Sequence, residues 1–143
     1  GTVLNAAQVD LAVDAGARFL VSPGYSADVV SRAAERGIAV IPGTVTPTEV
    51  ITALAAGLRL LKLFPAGNYG GTGTLKAFAS VFAEARFVPT GGVSPANLSQ
   101  YLSLPNVPAV GGSWMVPADL VDAGDFAAIE QLSVDAVAAA SGR

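Results

Sequence analysis

Lys62 is the side chain of this sequence best suited to covalent chemistry. It interrupts the apolar run of residues 60–64, in which side chains should alternate between the two faces of a strand. Lys62 and Phe64 then share one face, and Leu61 and Leu63 share the other. Burial disfavours an ammonium ion, and a neutral amine can attack a ketone to form a Schiff base. The alternative is a lysine at an exposed strand edge, with its stem lying along apolar surface.

Two glycine pairs, Gly91-Gly92 and Gly111-Gly112, end later apolar runs. Glycine allows backbone amides to approach an anion closely, and a nearby helix start adds free N–H groups. In barrels of alternating strands and helices, the loops after the last two strands commonly bind phosphate. The pairs therefore predict a phosphate site, with ordinary tight turns as the alternative.

Hydroxyl residues and prolines also lie at or near the ends of the apolar runs. Their hydroxyl oxygens can bind carboxylate, carbonyl or phosphate groups, although each residue type is also common in turns and caps. The hydroxyl residues are Thr2, Ser22, Thr44, Thr90 and Ser113, and the prolines are Pro23, Pro42 and Pro65.

The eleven acidic residues fall instead on predicted helices, on helix caps or in a turn, and none ends a predicted strand. Aldol chemistry requires proton transfer, and the sequence offers no evident carboxylate base for it. The sequence also contains no His and no Cys. Their absence excludes Ser-His and Cys-His hydrolases, disulfides and most zinc enzymes.

The composition indicates a globular domain, because 52% of the residues are hydrophobic and only 13% are charged. The net charge of −3 and the scattered basic residues provide no binding surface for nucleic acid or for an anionic membrane. No apolar run approaches the roughly 18 residues needed to span a bilayer. We therefore expect neither nucleic-acid nor membrane partners, and the lack of Cys fits a cytoplasmic location.

The elements that position these residues form a repeated unit of strand, turn and helix. Short apolar runs ending in Gly or Pro recur about every 20–25 residues, a spacing that accommodates a strand, a helix and two turns. The runs are residues 19–24, 39–43, 60–65, 87–92 and 109–112. Runs that are apolar on both faces predict a parallel sheet covered by helices, which is an α/β fold.

The predicted helices have recognisable ends. Residues 46–49 form a capping box with Pro at the first helical position, and Gly57 ends that helix. Ser94 and Pro95 predict another helix start, and Asp125 predicts the last one. The remaining signals are the caps Asn5 and Ser26, the terminators Gly16 and Gly37, the stripe Leu98, Tyr101 and Leu102, and the stripe Phe126, Ile129, Leu132, Ala136 and Val137.

No linker interrupts the series, so residues 1–143 are predicted to form a single domain. A closed (β/α)8 TIM barrel needs eight strands, and an open doubly wound sheet of five strands is the competing architecture. The residues at the strand ends favour the barrel. Because the sequence opens at Gly1 without Met, we interpret it as the C-terminal five strands and helices of such a barrel, with the N-terminal strands absent.

Several segments, in order along the whole chain, resemble the 2-keto-3-deoxy-6-phosphogluconate (KDPG) aldolase family, which includes 4-hydroxy-2-oxoglutarate (KHG) aldolases. The segments are residues 1–5, 22–24, 41–43, 62–66, 89–97 and 111–114. The resemblance implies a small class I aldolase barrel, usually a homotrimer. Such an enzyme cleaves KDPG, a phosphorylated keto acid, to pyruvate and glyceraldehyde 3-phosphate without a metal or another cofactor.

Carried over residue by residue, the resemblance makes Lys62 the Schiff-base lysine. Phe64 would pack beside the bound substrate. Thr2 and Pro23 would line the pyruvate end of the site, with Thr90 near it.

The same resemblance assigns Gly91, Gly92, Gly112 and Ser113 to the phosphate of the longer substrate. Gly67 departs from the pattern, since several relatives have Glu there. The family's catalytic Glu and carboxylate-binding Arg lie on an earlier strand and have no counterpart in this sequence. We therefore expect the isolated chain to be a poor aldolase.

Two other functions compete with this prediction. An isomerase or synthase with a phosphate-binding barrel would share the glycine pairs but would not need an inward lysine. A structural fragment or binding module would keep the motifs without the chemistry. Reductive trapping with pyruvate separates the isomerase or synthase from a Schiff-base aldolase. On sequence grounds the substrate is KDPG, its galactonate epimer or KHG.

Overall fold

The structure is a computed structural model that describes residues 2–142, so Gly1 and Arg143 lie outside the described residues. Short strands alternate with helices, and every strand pair is parallel, which confirms the α/β class. The strands are β1 (Phe19–Val21), β2 (Ala39–Ile41), β3 (Gly43–Thr44), β4 (Leu60–Leu63) and β5 (Arg86–Pro89). The helices are α1 (Ala6–Asp14), α2 (Ala27–Glu35), α3 (Pro47–Ala55), a 3-10 helix (Ala66–Tyr69), α4 (Gly71–Val81), α5 (Leu98–Leu102), α6 (Ala118–Ala123) and α7 (Phe126–Ser141).

Neighbouring strands in space follow the order of the sequence. β1 pairs with β2, β3 pairs with β4, and β4 pairs with β5. Single parallel bridges continue this order on both sides, from Thr2 to Val21 and from Thr90 to Gly111. A doubly wound sheet reverses its strand order, and the strands within residues 2–142 show no such reversal. The carboxyl ends of the paired strands consequently lie along one edge.

Two of the predicted strands differ from the observed ones. The run at 39–43 divides into β2 and β3 at Pro42, which has no amide hydrogen to donate to a ladder. The strand predicted at 109–112 is wrong, because this run makes only the isolated bridge at Gly111. Pro108 precedes this run, and two of its four residues are glycines. Proline has no amide hydrogen and glycine has no side chain, so the segment has little to favour a strand.

The core consists of two apolar clusters, and the half-buried Leu58 packs against both of them. One cluster lies between α1, β1, α2 and β2, with Val9, Leu20 and Val29 at its centre. The other surrounds β4 and β5 and is covered by α3, α4 and α5. Its fully buried members are Val50, Ala53, Leu61, Leu63, Ala66, Leu75, Ala85 and Phe87.

The structure confirms most of the predicted helix caps. The Thr46 side chain accepts a hydrogen bond from the Glu49 amide, and the Glu49 carboxylate accepts one from the Thr46 amide. The side chains of Asn5, Ser26 and Asp125 accept amide hydrogen bonds at the starts of α1, α2 and α7. Local sequence therefore determines where these helices begin.

Two helix predictions need correction. The helix expected at Ser94 and Pro95 begins only at Leu98, because the Ser94 amide donates to the Asn97 side chain in a separate turn. The predicted stripe of α7 is not a buried face, since Phe126 is 69% and Val137 66% exposed. α7 makes its main contacts with α5 and α6, and its interior positions are largely small residues.

An ion-pair network joins α1 to α2. Arg32 lies 2.9 Å from the Asp10 carboxylate and 2.7 Å from Glu35. Arg36 contacts the same Asp10 carboxylate and lies 2.6 Å from Asp14. The hydrogen bond from Arg32 has the largest effect on the pKa of Asp10. Together with a weaker hydrogen bond from Arg36, it holds the pKa of Asp10 below its usual value of 3.8, against the opposing effect of desolvation.

We expect Asp10→Asn to lower the melting temperature at pH 7, because it removes the carboxylate that both arginines share. A lowered folded-state pKa stabilises the fold above pH 3.8, and this stabilisation is lost as pH falls through the folded-state pKa. The melting difference from the parent should therefore shrink in acid. Thermal unfolding at several pH values measures it, with Glu130→Gln as the control. A difference that stays constant down to pH 3 would contradict the network's role.

Candidate active site

Lys62 lies in the middle of the three-stranded sheet and not at an edge. β4 is flanked by β3 and β5, and Lys62 is opposite Gly43 on one side and Val88 on the other. Its amide donates to the Pro42 carbonyl at 2.8 Å. The alternative of a lysine on an exposed edge strand is therefore wrong.

The two faces of β4 differ in burial, as predicted. Leu61 and Leu63 are fully buried in the core, whereas Lys62 and the following Phe64 are half-buried on the opposite face. The Lys62 Nζ atom lies 4.4 Å from the centroid of the Phe64 ring. Burial removes water from the amine and lowers the pKa of Lys62 below its usual 10.5.

Phe64 also lines a cavity of about 250 Å³ whose lining does not include Lys62. All of its lining residues are uncharged. They are Phe64, Thr90, Gly91, Gly92, Val93, Gly112 and Ser113. The structure thus brings together every residue that the sequence assigned to the phosphate, and Phe64 connects this cavity to Lys62.

The segments after β4 and β5 are tied together by backbone hydrogen bonds. The Ala66 amide donates to the Thr90 carbonyl at 2.8 Å, and the Gly67 amide donates to the Gly91 carbonyl at 2.9 Å. Gly91 and Gly92 have φ angles of +85° and +80°, in the region where a side chain is strained. A Cβ on Gly92 would also lie 3.2 Å from the Gly67 Cα. Glycine is therefore required by conformation and by contact.

The cavity has backbone donors available for a ligand. Within residues 2–142, the amides of Gly92, Gly112 and Ser113 donate no hydrogen bond, whereas the Gly91 amide faces the Gly111 carbonyl across the parallel bridge between Thr90 and Gly111. The Val93 amide, which sequence analysis did not assign to the site, also donates no hydrogen bond among these residues. A set of free N–H groups around an uncharged cavity is suited to an anion.

Trp114 packs against Gly112. A Cβ placed on Gly112 would lie 1.8 Å from the Trp114 Cζ3 atom, so the indole ring occupies the space that a side chain would need. Trp114 also packs against the core cluster around β4. It therefore forms a rigid support beneath the Gly112-Ser113 segment.

The structure places Thr2 and Pro23 apart from that cavity. Pro23 lines a cavity of about 210 Å³ at the end of β1, and a Cβ on Gly43 would lie only 2.0 Å from its carbonyl oxygen. Because Gly43 pairs with Lys62, Pro23 is two strands away from the lysine. Thr2 is exposed and lines a separate cavity of about 340 Å³ beside α1, on the far side of β1.

Acidic groups do not gather at this site in the described part of the chain. Asp10 and Asp14 lie in the network with α2, Glu49 in the capping box and Glu84 in an ion pair with Arg59. No group of acidic side chains within residues 2–142 is arranged to hold a metal ion. None of the helices described there combines the length and apolar character that a membrane crossing requires.

Sequence reasoning missed Asn97 as well as the amide of Val93. Asn97 accepts a hydrogen bond from the Ser94 amide and donates one to the Gly92 carbonyl, so it contacts the cavity wall from behind. The only local signal was the composition of the segment Ser94-Pro95-Ala96-Asn97, which is typical of turns.

Comparison with known proteins agrees with this geometry. The family model described as KDPG and KHG aldolase matches residues 1–132. The KHG/KDPG aldolase of Escherichia coli K12 is 45% identical over 137 residues, which cover 96% of this chain and 64% of the relative. The chain thus spans slightly less than two thirds of the length of that curated relative.

Two solved structures are similar as well. KDPG aldolase from Legionella pneumophila, with pyruvate captured as a covalent carbinolamine intermediate, has a TM-score of 0.87 and 38% identity, covering 91% of this chain and 63% of that one. The KDPG aldolase of Zymomonas mobilis ZM4 with 3-phosphoglycerate has a TM-score of 0.80 and 47% identity, covering 82% and 56%.

Fold and site together define an α/β protein of sequentially ordered parallel strands, with a partly desolvated lysine in its central strand and an uncharged cavity beside it. The chain belongs to the KDPG and KHG aldolase family. The resemblance recognised in the sequence motifs is thereby confirmed.

The lowered pKa of Lys62 has a measurable consequence. A larger neutral fraction near pH 7 should make Lys62 react with acetic anhydride at lower pH than a free lysine amine, whose usual pKa is 10.5. Isotope-coded acetylation followed by peptide mass spectrometry measures this for each lysine, with the exposed Lys76 of α4 as the internal control. Equal pH profiles for Lys62 and Lys76 would show that burial does not activate Lys62.

Proposed function

We propose that this protein is a class I aldolase whose Lys62 forms a Schiff base with a keto acid. The proposed reaction is cleavage of KDPG to pyruvate and glyceraldehyde 3-phosphate, and we extend it to cleavage of KHG. The observation that carries the proposal is a lysine in the interior of a parallel sheet with a lowered pKa and no ion-pair partner among residues 2–142. Membership of the family supports it.

The chemistry follows from a neutral amine at this position. The Lys62 Nζ atom attacks the C2 carbonyl carbon of the keto acid, and loss of water from the carbinolamine gives an iminium ion. Deprotonation of the C4 hydroxyl then breaks the C3–C4 bond. Its electron pair moves toward the iminium nitrogen to form an enamine, and the aldehyde leaves. Protonation of the enamine at C3 and hydrolysis release pyruvate and regenerate the amine.

Proton transfer in this scheme needs a general base, which typically contributes about 10²–10⁴-fold to the rate. The acids of the described residues lie on helices, on caps or, in the case of Glu84, in the turn between α4 and β5. That the base and a carboxylate-binding Arg come from an earlier strand of the family stays a prediction. So do the poor turnover expected of this chain alone and the places of Thr2 and Pro23 at the pyruvate end.

The second part of the proposal is that the cavity beside Phe64 binds the phosphate group. The free amides of Gly92, Gly112 and Ser113 support this, because several N–H donors can satisfy the oxygens of one phosphate without a charged side chain. The relative from Zymomonas mobilis was solved with a phosphorylated ligand, 3-phosphoglycerate.

The architecture and assembly are proposed with the function. We propose that the strand units belong to a (β/α)8 barrel and are its C-terminal five, since their parallel, sequential order is the order that a barrel requires. We also propose a homotrimer, and the exposed Phe126, Val134 and Val137 of α7 are apolar surface consistent with association. The cytoplasmic location and the lack of a metal or cofactor stay predictions.

Two outcomes would favour the competing functions. A phosphate-binding isomerase or synthase would bind inorganic phosphate but would form no adduct between Lys62 and pyruvate. A binding module or catalytically incomplete fragment would form an adduct, or bind phosphate, without cleaving KDPG. Family membership favours the aldolase over both.

We predict that borohydride in the presence of pyruvate adds mass to Lys62. Reduction of an imine gives a stable secondary amine, which peptide mass spectrometry locates. Lys62→Ala should abolish the adduct, and Lys76→Ala, which changes an exposed lysine on α4, should leave it intact. Labelling that stays in Lys62→Ala and disappears in Lys76→Ala would overturn the assignment.

We also predict that Gly112→Ala weakens the binding of phosphorylated substrates far more than the binding of pyruvate. The added Cβ would collide with the Trp114 ring and displace the nearby amides. Losing one hydrogen bond to a charged group costs about 1.5–3 kcal/mol, or roughly 10–150-fold in affinity. Inhibition by glyceraldehyde 3-phosphate and trapping with pyruvate measure the two effects separately.

Gly73→Ala is the matched control for that variant. A Cβ on Gly73 would meet nothing within 4 Å, and the residue lies in α4, where Ala is favourable. Gly73→Ala should leave both measurements unchanged. An equal loss for the phosphate ligand and for pyruvate in Gly112→Ala would argue against a phosphate site.

A further inference from the structure

Asn97 holds the loop that forms one wall of the cavity. Its Oδ1 atom accepts from the Ser94 amide at 2.8 Å, and its Nδ2 group donates to the Gly92 carbonyl at 2.9 Å. The first partner can only donate and the second can only accept, so the orientation of the Asn97 amide is determined. The side chain thus spans the loop from Gly92 to Ser94.

The bond to Gly92 completes a regular pattern of three consecutive peptides. The Thr90 carbonyl accepts from the Ala66 amide, and the Gly91 carbonyl accepts from the Gly67 amide. The Gly92 carbonyl has no such backbone donor among the described residues, and the Asn97 side chain supplies one.

Fixing these carbonyls also fixes the amides of the following residues. In a planar trans peptide, the C=O and N–H groups point in opposite directions. Holding the carbonyls of Thr90, Gly91 and Gly92 therefore orients the N–H groups of the next residue in each case. Of these next residues, Gly91 faces Gly111 across the bridge, whereas Gly92 and Val93 line the cavity and donate no hydrogen bond within residues 2–142.

We propose that Asn97 is a positioning residue for the phosphate site and that the Val93 amide it orients is a further phosphate donor. The inference rests on the proposed phosphate-binding function and adds a donor to the three free amides of Gly92, Gly112 and Ser113. Backbone at Gly91 and Gly92 has no side chains to restrict it, so preorganisation depends on the bonds to its carbonyls. Asn97 is the only side chain in the described structure that makes such a bond.

Two substitutions separate the roles of the Asn97 amide. Asn97→Ala removes both hydrogen bonds. Asn97→Asp keeps an acceptor for the Ser94 amide but replaces the donor to Gly92 with a second oxygen, which repels the Gly92 carbonyl and adds negative charge behind the site. Both variants should weaken phosphate binding, by about tenfold for Asn97→Ala and by more for Asn97→Asp.

The experiment titrates the protein with inorganic phosphate, using 31P NMR for affinity. Trp114 is the one tryptophan of the sequence and contacts Gly112, so its fluorescence provides a second readout. Borohydride trapping of pyruvate at Lys62 in the same samples reports whether the rest of the site is intact. Asp125→Ala, which removes another N-cap acceptor at the distant start of α7, is the matched control.

The expected result is weaker phosphate binding in both Asn97 variants, with pyruvate trapping preserved and with Asp125→Ala indistinguishable from the parent. Unchanged phosphate affinity in both variants would overturn the inference and leave the phosphate site standing. A parallel loss of phosphate binding and trapping, or an equal loss in Asp125→Ala, would also overturn it, because the effect would then be general destabilisation. If the parent protein binds no phosphate, the phosphate site and this inference fall together.

Discussion

The alternation of side chains along β4 is the constraint on which the site depends. Leu61 and Leu63 are fully buried in the core, and each contributes about 1.5–3 kcal/mol of hydrophobic stabilisation. A shift of one residue in register would expose both leucines and force Lys62 into the core. The same apolar packing that stabilises the sheet therefore directs the amine to the opposite face, where Phe64 covers it.

The neighbouring cavity is built on a different principle, since its polar groups come from the main chain. Its lining is uncharged, and its candidate donors are amides whose directions are fixed through the carbonyls of the preceding residues. Such donors are preorganised by the fold and lose little entropy on binding. Their cost is conformational, because the backbone has to pass through two positive φ angles, which explains the Gly91-Gly92 pair.

Sequence reasoning succeeded where one short segment determines the outcome. The orientation of Lys62 follows from strand periodicity, and the caps at Thr46 and Asp125 follow from local hydrogen bonding. It failed where tertiary contacts decide. The run at 109–112 has the spacing expected of a strand but only one bridging partner, and α7 has an apolar stripe without a sheet beneath it. The hydrogen bonds of Asn97 likewise depend on a loop conformation that composition alone does not specify.

Distances between residues on different strands could not be predicted from the sequence either, because they also depend on tertiary structure. Parallel strands place their carboxyl ends at one edge but lie about 4.8 Å apart, so Thr2, three strands from Lys62, would be roughly 14 Å away in a flat sheet. Curvature of the sheet has to shorten that path if Thr2 is to meet the pyruvate end. The cavity beside Phe64 is different, because Phe64 both lines it and contacts Lys62.

This arrangement reconciles two requirements of the proposed reaction. A nucleophilic amine has to stay neutral, whereas a phosphorylated keto acid brings negative charge, which favours the ammonium form when it lies close by. In the proposed site, neutral dipoles of a cavity that Lys62 does not line would bind the phosphate and keep its charge away from the amine. The attraction between unit charges falls with distance and is screened by solvent, so such an anion would form no ion pair with the nucleophile. Phe64 joins the two parts of this proposed site, because its ring contacts the Lys62 amine and also lines the cavity.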